Sequence, residues 1–203
     1  HHMHDDIPTP EELHRSAIER WRANNETDPA SEPYVHAEMV VTFGIETEQP
    51  LSKWAMNWAT ALRRYEQFCC DVGRSARENT KVTATLPASE RLLGEWARYQ
   101  RRFEDHLTAF QEIRLGVSPA FSWDPVESAW NARLDACRRH VEKTGRLPFL
   151  NGDNAVEFAL ARWLNRQLHQ LQIGTQPPAR AARLSELLNP PAASKWGSVW
   201  RMP

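Results

Sequence analysis

Along residues 51–188, bulky apolar side chains return every three or four positions, the spacing of one helix face. Trp54, Trp58, Leu62, Tyr65 and Cys69 form one such stripe, and Gly73 stands where a helix C-terminus favours a left-handed residue. The spacing predicts a helix over 51–72. A second helix is expected after Pro87, capped by Ser89, with Leu92, Trp96, Tyr99, Phe103 and Phe110 along one side. A short third helix or turn at Gln111 to Leu115 is closed by Gly116 and Pro119. The pattern then begins again. Trp130, Leu134, Cys137 and Val141 run to Gly145. Asn154, with Glu157 three residues on, caps a helix whose apolar face is Val156, Leu160, Trp163, Leu164 and Leu171, and Gly174 ends it. Pro177-Pro178 opens a third, with Ala181, Leu184 and Leu188 inward, stopped by Asn189-Pro190-Pro191.

The tryptophans mark the period. Ser52-Lys53-Trp54 with Trp58 returns as Ser194-Lys195-Trp196 with Trp200, and Ser122-Trp123 with Trp130 is a looser middle copy. Trp58 leads to Leu62 and Gly73-Arg74 as Trp130 leads to Leu134 and Gly145-Arg146, and Trp96 precedes Gln100 as Trp163 precedes Gln167. A fixed order of this kind predicts tandem copies of one small unit. Ahead of them, Thr9-Pro10-Glu11-Glu12 spells a capping box with proline at the first helical position, opening a helix to about Asn24. Asn24 to Pro33 reads as a linker, and Tyr34 to Ile45 fits either a short strand or a further helical turn. No long alternation competes with the helical period. The expected class is all-α: two tandem three-helix bundle repeats, 51–125 and 126–203, preceded by an acidic N-terminal helical segment, 1–50. Trp54, Trp96, Trp130, Trp163 and Trp196 are expected in the cores.

Composition narrows the function classes. No run approaches the roughly 18 apolar residues of a membrane span and no signal sequence stands at the start, so a cytoplasmic protein is expected. His1 and His2 before Met3 read as the end of a purification tag. Cys69, Cys70 and Cys137 give neither zinc-site spacing nor an even disulfide framework; Cys70 and Cys137 are expected to face a core. His106, His140 and His169 lack metal-ligand spacing, and no nucleophile motif or catalytic constellation is present, so neither metal nor cofactor nor enzymatic activity is expected. The net charge of −1 hides an asymmetry: −8 over residues 1–50, +2 over 51–125 and +5 over 126–203. A basic surface for an anion would account for it, as would chance imbalance between solvated faces.

The order Trp130, Leu134, His140, Gly145, Pro148, Ala161-Arg162-Trp163, Gln167, Leu184, Leu187 and Trp196 resembles the helicase-associated domain. Leu93-Gly94-Glu95-Trp96 with Gln100-Arg101 matches that family's middle helix; the second copy keeps Trp163 and Gln167 but has Ala161 for the glycine and Leu168 for the arginine. Ser75 follows Gly73-Arg74 where the pattern has a nearby proline. The resemblance covers about residues 51–200 and implies tandem three-helix repeats of the actinobacterial and phage type, which bind nucleic acid. No glycine-rich phosphate loop is present, so no helicase core is expected.

Arginine beside glutamine offers phosphate neutralisation together with base-edge hydrogen bonding. The candidate set is Arg91, Arg98, Gln100, Arg101 and Arg102 in the first copy, and Arg146, Arg162, Arg166, Arg180 and Arg183 in the second. Arg98 and Arg102 share a helix face, and Arg162 and Arg166 repeat that four-residue pair. The competing reading is solvated surface partly paired with Glu95, Glu104, Asp105 and Glu157, with Gln100 and Gln167 bracing helices. The expected function is non-enzymatic DNA binding, duplex favoured; the alternative is a protein-interaction adaptor. Residues 3–50 could dock on the repeats, dimerise or mimic DNA.

Overall fold

Thr9 and Glu12 satisfy each other's backbone N–H groups, at 2.8 and 3.3 Å, and start helix α1, Pro10–Asn24. The computed structural model describes residues 7–24, 28–78, 81 and 85–190, so Trp196, Trp200 and the Ser194-Lys195 pair lie outside the described residues. Among the described residues the chain is helical without strands. Of the segment 34–45, residues 34–43 fall within helix α2, Glu32–Phe43, which Gly44 ends at φ +65°. Helices α3 (Lys53–Val72), α4 (Ala88–Arg102), a 3₁₀ turn (Glu104–His106) and α5 (Ala109–Val117) follow, then α6 (Pro125–Thr144), α7 (Ala155–Gln172) and α8 (Pro178–Leu188).

Two units result, one through Trp123 and one from Asp124. In the first, α1 packs on α5 and α2 on α3, so the acidic helices share a core with α3–α5. Leu62, Tyr65, Phe110 and Leu115 are its large fully buried apolar side chains. The turn before α2 is built in as well: buried Ser31 donates to Asp28 and accepts from the Phe110 N–H at 3.0 Å. The second unit folds α6, α7 and α8 around Trp130, Leu134, Cys137, Trp163, Leu164, Leu184 and Leu187.

Several expectations need correction. Trp54 is 80% exposed although it shares a stripe with buried Trp58. It is the second residue of α3 and lines an open groove instead of a core. Leu92, Tyr99 and Val156 likewise face outward, and Leu187 rather than Leu188 is buried. Ser89 does not cap α4, which begins one residue earlier behind Pro87. Gly116 lies inside α5, whose start is a capping box between Thr108 and Gln111. Cys70 is exposed, while Cys137 is buried and its thiol is pushed up to about 11 by that burial.

Candidate nucleic-acid interface

Helices α3 and α6 each have 20 residues and end on a left-handed glycine, Gly73 at φ +78° and Gly145 at +72°. Each glycine turns the chain into a loop whose arginine clamps a buried glutamate on the following helix. Arg74 and Arg77 bond Glu90 in the first unit; Arg146 and Asn151 bond Glu157 in the second. The Arg146 guanidinium, opposed by burial and assisted by Asn151 and the Phe149 N–H, holds Glu157 down to about 2. Arg77, with Arg74, holds Glu90 well below the carboxylate range.

The glutamines close the correspondence. Trp58 Nε1 donates to Gln100 Oε1 at 3.1 Å, and Trp130 Nε1 donates to Gln167 Oε1 at 2.9 Å. One bond ties α3 to α4 and the other α6 to α7, each through a buried indole. Gln100 is 4% exposed, so its carbonyl is committed inside and it leaves the set of groups that could reach a base.

The arginines divide in two. Arg101 bonds Glu78 and the Ser122 carbonyl; Arg146 bonds Glu157 and stacks on Phe149; Arg180 bonds Glu127 over the Trp130 ring; Arg183 bonds Asn131 and reaches Asp135 at 3.6 Å. These four join helices and loops of their own unit. The remaining five, Arg91, Arg98, Arg102, Arg162 and Arg166, have no ion pair or hydrogen bond among the described residues; Arg102, Arg162 and Arg166 are exposed, and Arg91 and Arg98 half-buried.

Registering Trp96 on Trp163 places Arg98 opposite Asn165 and Arg102 opposite His169. The pair on α4 and the pair on α7 therefore fall on the same side of their helices, displaced by about one turn, with Arg98 half-buried and the other three exposed. On α7 that face presents Arg162, Asn165, Arg166 and His169 at the i, i+3, i+4, i+7 spacing, all exposed.

Beside this face, α6 and α7 enclose a groove of about 670 Å³ lined by Arg133, Ala155, Val156, Ala159, Leu160, Arg162, Trp163 and Arg166. Three arginine side chains line it together with apolar ones, and no carboxylate is among the described lining residues. Such a cleft concentrates positive potential at its mouth. Arg133 was not anticipated: it lies on α6, three residues past Trp130, and only the crossing of α6 with α7 brings it to the pair. Among the described residues no cluster of His, Cys, Asp and Glu is placed to hold a metal, and no helix is long and apolar enough to cross a membrane.

The chain matches no family model, no curated protein and no solved structure. Function is accordingly read from the chemistry of the groove.

Proposed function

We propose that this chain is a non-enzymatic DNA-binding protein that grips phosphates through the arginine groove of its second unit. The observation that carries the reading is the meeting of Arg133, Arg162 and Arg166 on an open groove with no carboxylate among its described lining residues. Salt-bridged arginines elsewhere in the unit are occupied; these three keep their guanidinium donors for an external acceptor, and a phosphate oxygen is the acceptor arginine suits best. The exposed stripe Arg162, Asn165, Arg166 and His169 fits a helix presented to a duplex major groove, where arginine reads guanine and asparagine reads adenine. The resemblance to helicase-associated domains supports the same reading, and the doubled Trp–Gln and Arg–Glu arrangements support two copies of one ancestral unit.

Fluorescence anisotropy of a labelled duplex titrated with the full chain at low salt tests this. The parent should bind at micromolar concentration or better, and Arg162→Glu/Arg166→Glu should bind at least about tenfold more weakly, since two attractive contacts become repulsive. An unbound parent, or a charge-reversed variant as tight as the parent, would remove the proposal. A protein-interaction adaptor is the second reading, favoured by the net charge of −1, low for a dedicated DNA-binding chain.

A further inference from the structure

The first unit carries a groove that shares three registered positions with the arginine groove, at Ala61, Trp96 and Tyr99, and has different chemistry. Registering Trp58 on Trp130 puts Ala61 where Arg133 stands, and registering Trp96 on Trp163 puts Tyr99 where Arg166 stands. The groove that results, about 560 Å³, is walled by the rings of Trp54, Trp96, Tyr99 and Phe103. Neither a carboxylate nor a guanidinium is among its described lining residues. Trp54 and Tyr99 leave 80% and 59% of their surface to solvent, which is unfavourable for large rings unless a ligand covers them.

Three features select the occupant. The walls are flat and aromatic, with the His106 imidazole beside them and no carboxylate or guanidinium among the described lining residues, so they fit a flat ring that carries no positive charge. Asn57 offers an amide donor and acceptor within the groove, suited to the edge of a heteroaromatic base. Arg102 lies over Phe103 at 5.4 Å, placing a cation at the rim, where it repels a cationic ligand and attracts the phosphate next to a bound base. Glu104 and Asp105 follow in the chain but do not line the groove.

We propose that this groove takes an unpaired nucleobase, stacked against Trp54 and Tyr99, so that the preferred ligand is DNA carrying unpaired bases. The proposal rests on the nucleic-acid reading of the second unit, which supplies phosphate affinity, while the aromatic groove adds selection for unstacked bases. Stacking on an aromatic side chain is sequence-tolerant, so a thymine tract suffices as probe.

The test compares a blunt duplex with the same duplex bearing a single-stranded thymine overhang, each titrated with the full chain. The parent should bind the overhang duplex about tenfold more tightly, the gain expected of one or two stacked bases. Trp54→Ala/Tyr99→Ala should lose that preference yet bind the blunt duplex like the parent, and Trp54→Phe should retain most of it. Both side chains are exposed, so far-UV circular dichroism should show unchanged helicity. A parent with no preference, or a double variant that keeps it, would overturn the base site alone. Failure of the parent to bind either duplex would take down the reading of the second unit as well.

Discussion

At the scale of single residues, backbone proximity and buried charge decide which substitutions matter. A Cβ built on Gly94 would lie 2.6 Å from the Arg77 carbonyl oxygen, so the loop after α3 crosses directly over α4 at that position. Gly94→Ala should cost about 1–3 kcal/mol in a urea melt despite alanine's better helix propensity, because a backbone atom has to move; an unchanged midpoint would refute the crossing. Arg114, 1% exposed, bonds both Glu38 and Glu66, and Ser118 donates to Glu66 at 2.7 Å. Arg114→Met strands two carboxylates in the core and should destabilise the first unit by about 3–5 kcal/mol. Thiol reagents offer a further check: Cys70 should react at once in the native chain, and buried Cys137 only upon unfolding.

Helices are joined in this protein by polar ties between buried partners as well as by apolar stripes. The bond from Trp130 Nε1 to Gln167 Oε1, which also accepts from Gln176 Nε2 at 2.8 Å, satisfies an indole N–H that would otherwise be orphaned between α6 and α7. Gln167→Leu should therefore cost about 1–3 kcal/mol, the range for an unsatisfied buried donor. The Glu157 clamp has a pH signature. Its folded-state pKa is held near 2, below the ordinary 4.5, so the stability it contributes is fully present above about pH 4.5 and fades as pH falls toward 2. Thermal melts at pH 7 and pH 3 should diverge, and Glu157→Gln should narrow that gap; a gap of unchanged size would show that other carboxylates govern acid sensitivity.

Across the whole molecule, charge is sorted by unit. The N-terminal 50 residues carry −8, and part of it is absorbed by the first unit's core, where Glu38 meets Arg114. Residues 126–203 carry +5 and contain the groove whose three arginines are without carboxylate partners. If those arginines meet three phosphates of duplex DNA, the slope of log affinity against log salt should be about −2.7, and Arg133→Ala should flatten it by about 0.9. A slope indifferent to Arg133 would exclude that residue from the contact.

Helix content and much of the boundary positions were legible in the amino-acid order, because the periodic apolar stripes, the Thr9–Glu12 box and the terminal glycines Gly73 and Gly145 act through local backbone sterics and hydrogen bonds. Which member of a stripe is covered was not, since Trp54 and Trp58 share a helix face and only the neighbouring helices determine that one is exposed and the other buried. The same holds for the candidate arginines: their chemistry is written in the chain, but Arg101, Arg146, Arg180 and Arg183 find partners up to 53 residues away, and Arg133 joins Arg162 and Arg166 only where α6 packs on α7. Local order sets what a side chain is able to do; the long-range packing of helices sets whether it is free to do it.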